Sequence, residues 1–186
     1  MYRLHPPYFI HANADMFRVP GSSDSSLENI LTNVKYFQSK TSNENVSNEE
    51  VLFLFNSNYW DVYRFFNLNL NKVLSHEEYN AEFARNYTQV INAISELLRP
   101  KDRLILITTH RPHPNGHRVD SALCDLLRTS VLKAALAHNL PVFRTDLVLK
   151  HCSGEMYGYL RDDLHQNQDA SVILTKEILH SFIFSD

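Results

Sequence analysis

The chain is poor in glycine, with 4 in 186 residues, and no Gly-rich phosphate loop stands among them. A nucleotide or phosphate binder of the flavodoxin kind is therefore disfavoured. Only two cysteines occur, Cys124 and Cys152. They make no disulfide framework, and small buried hydrophobes are their simplest reading. No apolar run approaches the roughly 20 residues that span a bilayer. Met1-Tyr2-Arg3-Leu4-His5-Pro6-Pro7 has no apolar h-region, so no signal peptide is expected there. Positive charge is not in excess either: Lys+Arg 18 against Asp+Glu 21 gives a net charge of −3. That leaves no basic footprint for nucleic acid and no polybasic patch for a membrane surface.

Apolar content of 44% and charged content of 21% are those of an ordinary globular chain. A length of 186 residues suits one domain with a real core, and residues 1–186 are expected to form a single domain. No internal repeat is evident. Two sequons, Asn45-Val46-Ser47 and Asn86-Tyr87-Thr88, are too short a pattern to fix the compartment, which stays open.

Hydrophobic periodicity alternates between two kinds along the chain. Val51-Leu52-Phe53-Leu54-Phe55 is a continuous apolar run, expected to be a strand buried on both faces. Arg103-Leu104-Ile105-Leu106-Ile107-Thr108 is a second such run, and Val142-Phe143 a third after the turn Asn139-Leu140-Pro141. Tyr8 to Ile10 reads as a further short strand. Ser75-His76-Glu77-Glu78 resembles a capping box and opens a helix to about Leu98. Further helices are expected over residues 119–138 and 170–182, and one starts near Ser25 or Ser26. Residues 152–159 read as loop. Strands alternating with long helices predict an α/β fold with a mostly parallel sheet. In such sheets, sites form at the carboxyl ends of the strands.

Three polar clusters fall at such places. Near the C-terminus, Asp162-Asp163-Leu164-His165 precedes the last helix. A carboxylate at Asp162 can orient the imidazole of His165, which then accepts a proton from a serine. The pattern recurs by chance in solvated loops; its place before the terminal helix is what makes it informative. Asn56-Ser57-Asn58-Tyr59-Trp60-Asp61 follows the first strong strand, and Asn58 is the candidate side-chain donor to a developing oxyanion. Ordinary turn chemistry is the competing reading. Trp60, the one tryptophan, is expected in the core. Pro20-Gly21-Ser22-Ser23 offers a backbone N–H at Gly21 and two hydroxyls at Ser22 and Ser23, although helix capping explains these residues as simply. Neither serine sits in a G-x-S-x-G or G-D-S context. The third cluster, Thr108-Thr109-His110, opens a loop with His113 and His117. Three histidines invite a metal, but no Cys or carboxylate pattern completes a zinc set. An exposed loop, or one rimming a pocket, is expected. No cofactor and no metal is expected.

Together these residues resemble the SGNH/GDSL hydrolase superfamily, in particular its PC-esterase-like branch. Asp162-x-x-His165 matches the block that carries the family's catalytic Asp and His. Asn56-Ser57-Asn58 is similar to the G-x-N-D block, and Leu54-Phe55-Asn56-Ser57-Asn58-Tyr59-Trp60-Asp61 resembles its N-S-x-x-W-D variant. Gly21 stands where the block-two glycine would be. The resemblance covers about Val19 to Phe182. It implies a flavodoxin-like three-layer α/β fold and hydrolysis of an acyl ester, with His165 as base, Asp162 as its orienter, and Asn58 and Gly21 as oxyanion donors. A small-molecule or acylated ester is the implied substrate.

Two departures stand out. Asn56 replaces the usual Gly. The first block, a strand ending in G-D-S with the nucleophile, has no counterpart: residues 1–20 contain no serine. Either the sequence is a fragment with its serine upstream of Met1, or Tyr8–Ile10 fills the strand's place and Ser22 or Ser23 serves. A catalytically dead binding or scaffold module is the alternative function. The chain alone is expected to be weakly active or inert.

Overall fold

The computed structural model of the chain describes residues 35, 52–56, 61, 62, 65, 73–116, 119–153, 156–162 and 164–182. Three parallel strands form one sheet in the order β1 (Leu52–Phe55), β2 (Arg103–Thr108), β3 (Val142–Arg144). Leu52 is in register with Arg103, and Leu106 with Val142. Helix α1 (His76–Leu97) joins β1 to β2, and α2 (Ser121–Ala137) joins β2 to β3. Helix α3 (Thr145–Ser153), a 3-10 turn (Met156–Tyr159) and α4 (Gln168–Phe182) follow.

The central strand shows why the sheet is covered on both faces. Its side chains alternate, so Leu104 and Leu106 enter one core while Ile105 enters the other. The first core unites these leucines with Tyr79, Phe83, Tyr87 and Ile91 of α1 and Leu123, Leu127 and Val131 of α2. The second packs Ile105 and Phe143 against Leu149 of α3 and Ala170 and Leu174 of α4. Helices therefore lie on both sides of the sheet, in a three-layer α/β arrangement.

Local chemistry sets the helix ends. Ser75 Oγ accepts from the Glu78 N–H at 3.1 Å, and the Ser75 N–H donates to Glu78 Oε2 at 2.9 Å, which completes the expected capping box. Asp120 caps α2 by accepting from Ala122 N and Leu123 N at 2.8 and 3.0 Å. Between α1 and β2, Asp102 takes two guanidinium hydrogen bonds from Arg99, at 2.8 and 2.7 Å. Asn139, at φ 51°, turns the chain from α2 into β3.

Two expectations are corrected. The first run is not buried on both faces: β1 is at an edge of the described sheet, and Leu54 is 47% exposed. Composition does not distinguish an edge strand from a central one when both are apolar. The second correction is α3, which the sequence reading omitted, giving residues 152–159 to loop. It begins at Thr145, directly after the last strand residue, Arg144, with no linker to announce it.

Candidate active site

The last loop, between the 3-10 turn and α4, is closed on itself. Leu160 and Gln166 form an isolated antiparallel bridge. The Arg161 N–H donates to His165 O at 2.9 Å, and the Asn167 N–H to Tyr159 O at 2.8 Å. Asn167 then caps α4, its Oδ1 accepting from Ala170 N at 3.0 Å.

Asp162 organises the turn inside this loop. One carboxylate oxygen, Oδ1, accepts from the backbone N–H groups of Leu164 and His165, at 2.8 and 2.7 Å. This is an Asx-type turn. The other, Oδ2, lies 2.8 Å from Nδ1 of His165. The two backbone N–H groups, His165 first, and then the imidazole hold the Asp162 carboxyl well below the usual carboxylate range. An ionised Asp162 accepts from an Nδ1–H, so the proton of neutral His165 sits on Nδ1 and the lone pair on Nε2. Among the described residues Nε2 has no hydrogen-bond partner, and the His165 side chain is 51% exposed. Chemically, this is an oriented imidazole whose basic nitrogen has no hydrogen-bond partner among the described residues.

The loop is anchored from below by His110, which follows β2 across Thr109. His110 is only 4% exposed, so the expectation of a solvent-exposed histidine loop is corrected at this residue. Its Nε2 is 2.8 Å from Leu164 O, and its Nδ1 is 3.0 Å from Gln166 Nε2. A carbonyl only accepts, so Nε2 carries the proton; Nδ1 is then the acceptor for the Gln166 amide. Burial first, then the charges of Arg128 and His165, outweigh the Leu164 carbonyl and lower the His110 pKa to about 4. His110 is thus neutral at physiological pH. Leu164 itself is buried in the first core.

A charged network stands beside this anchor. The buried Arg128 of α2 donates through Nε to Thr109 O at 3.2 Å and pairs with Asp125, which also pairs with Arg111. Asp146, in the first turn of α3, accepts from Thr108 Oγ1 at 3.1 Å and from Arg144 Nε and Nη2 at 2.9 and 2.6 Å. The carboxyl ends of β2 and β3 are therefore cross-tied where His110 departs.

Of the sequence-predicted residues, Asp162 and His165 are brought together. Asn58, Gly21, Ser22 and Ser23 lie outside the described residues, as do Trp60, His117 and Asp163. Asn56 is exposed at the end of β1, and Val62 and Phe65 just beyond share the first core with Leu164. No described serine hydroxyl bonds to His165. Cys124 is buried, and burial pushes its thiol up to about 12, which fits a packing residue rather than a nucleophile. Asn86 of the second sequon lies within α1, half-buried, rather than on a loop. Among the described residues no His/Cys/Asp/Glu group could hold a metal ion, and no helix is long and apolar enough to cross a membrane. His110 is the residue that sequence reasoning misjudged. No local signal marks it, because the partners Leu164 and Gln166 lie more than fifty residues away.

The fold of the chain is similar to that of several solved hydrolases. The chain superposes on LAE5, an α/β hydrolase enzyme from the metagenome of Lake Arreo, Spain, with a TM-score of 0.52 and 15% identity, over 83% of this chain and 66% of that one. A member of the lipolytic protein G-D-S-L family from Veillonella parvula gives 0.52 at 9% identity, over 84% and 74%. Axe2, an acetylxylan esterase from Geobacillus stearothermophilus, gives 0.51 at 16% identity, over 82% and 68%. The chain thus spans about two thirds to three quarters of the length of these proteins. No family model and no curated protein matches the sequence. At such identities the likeness concerns the fold, and the fold is the SGNH-like α/β fold of these hydrolases.

Proposed function

We propose that the chain is an SGNH-type ester-hydrolase domain whose acid–base pair is Asp162 and His165. What carries the reading is the 2.8 Å contact from Asp162 Oδ2 to His165 Nδ1, with Nε2 unbonded among the described residues, on a loop fastened to the carboxyl end of the central strand. In this mechanism Nε2 takes the proton of a serine Oγ as that oxygen bonds to the ester carbonyl carbon. His165 then returns the proton to the alcohol oxygen as the C–O bond breaks. Water, activated by the same nitrogen, releases the acid from the acyl-enzyme. Asp162 stays ionised and holds the imidazole in the tautomer that can accept. The Asn58 side chain and the Gly21 N–H are the proposed oxyanion donors. The nucleophile is Ser22 or Ser23, or a serine preceding the given sequence. The string Asn56-Ser57-Asn58-Tyr59-Trp60-Asp61 favours the PC-esterase-like branch, and an acylated small molecule is the proposed substrate class.

One observation favours a second reading, a catalytically inert module of the same fold: no G-D-S string occurs in the sequence. A fluorophosphonate probe separates the two, because it labels only an activated serine. The hydrolase reading predicts one adduct, found by intact mass and mapped to a serine, that disappears in His165→Ala. A purified protein that takes no label fits the inert module instead.

A further inference from the structure

The groups on either side of His165 in sequence both end on one imidazole. Leu164 O and the Gln166 side chain contact opposite nitrogens of His110, 2.8 and 3.0 Å away, across 54 and 56 residues of chain. The Leu164 N–H, on the other side of the same residue, binds Asp162 Oδ1. His110, Leu164 and Asp162 therefore form one unbroken line of contacts, and His165 hangs from it. His110 is itself held from behind, since Arg128 binds the carbonyl of Thr109. We propose that His110 is a positioning residue for His165, a buried two-sided clamp that fixes the Asp162 turn and so the direction of the His165 imidazole.

The clamp needs an imidazole with one donor and one acceptor. A hydroxyl or an alkyl group of similar size cannot reach both partners. A protonated ring would place an N–H against the Gln166 amide, and its burial disfavours that state. The proposal rests on the reading of His165 as the general base. It adds a residue that touches no substrate and acts entirely through the loop.

Two substitutions dissect the clamp. His110→Gln puts an amide near the Nε2 position and can still donate to Leu164 O. His110→Asn places its amide near Nδ1 and leaves Leu164 O without a donor. Ester hydrolysis (kcat and KM on p-nitrophenyl acetate) is one readout. The other is long-range 15N–1H NMR of the His165 ring, which reports the tautomer without reference to activity. His110→Asn is expected to lower kcat by about tenfold or more with KM nearly unchanged, since a displaced catalytic group is costly. The same variant is expected to turn a single Nδ1–H tautomer of His165 into a mixture. His110→Gln should recover most of both signals. Gln166→Leu, which leaves His110 in place, gives a third reading if either variant fails to fold: a smaller drop in kcat, in the same direction, at unchanged KM. Equal kcat and an unaltered His165 tautomer in the folded variants would overturn the clamp. If His165→Ala hydrolyses as well as wild type, the hydrolase reading is what fails, and the NMR readout still judges the clamp.

Discussion

Acid should destabilise this protein through one buried histidine before it affects any carboxylate turn. His110 is held at about 4, against 6.5 for an ordinary imidazole. In the unfolded chain it binds a proton as pH falls through 6.5, while the folded protein refuses that proton until about pH 4. Between those values the unfolded state binds more protons, so stability falls as pH falls. Above pH 6.5 both states are neutral and His110 contributes no slope; below about 4 both are charged and the loss is complete. At about 1.4 kcal/mol per tenfold, the full loss is about 3 kcal/mol, a large part of the 5–15 kcal/mol that holds a domain of this kind together. Depressed carboxylates such as Asp162 act later, because their support persists until pH falls below the ordinary carboxylate value. Urea unfolding followed by circular dichroism at intervals from pH 8 to pH 4 measures the curve. His110→Gln cannot titrate, so its curve should be flatter than wild type by about 3 kcal/mol across this range, whatever its absolute stability. Parallel curves for the two proteins would refute the buried neutral imidazole.

Three further outcomes are expected. Asp162→Asn keeps an acceptor for the Leu164 and His165 N–H groups but faces Nδ1 with an amide. It should leave the melting temperature nearly unchanged while kcat falls by up to about 10⁴-fold, as steady-state kinetics will record. Leu106→Ala empties a fully buried position at the centre of the sheet and should cost about 2–5 kcal/mol in chemical denaturation. Ser75→Ala removes the capping box of α1 and should cost about 1 kcal/mol in the same assay.

Two local signals in the chain match the structure closely. The apolar run 103–108 is β2 residue for residue, and Ser75 with Glu78 starts α1 where the capping pattern puts it. The contact of Asp162 with His165 was legible because only two residues lie between them and a single tight turn joins them. Helix α3 was not, because it abuts β3, and its apolar residues Leu147, Val148 and Leu149 stand in one consecutive run that sets no helical period. Its charges, Asp146 in the first turn and Lys150 and His151 in the last, suit a helix dipole, but three charged residues do not set a helix apart from a loop. His110 was illegible for a different reason. Its neighbours Arg111, Pro112, His113 and Pro114 look like a solvated loop, and the partners that bury it lie more than fifty residues away. Periodicity cannot carry that information; only the parallel sheet, which sets the end of β2 beside the last loop, supplies it.

Paired kinetics on the purified protein and its His165→Ala variant bear most directly on the proposed acid–base pair. With p-nitrophenyl acetate at pH 8, and with both proteins shown to be folded, the account predicts a fall in kcat/KM on the order of 10³-fold or more in the variant. Rates within twofold of each other would contradict it.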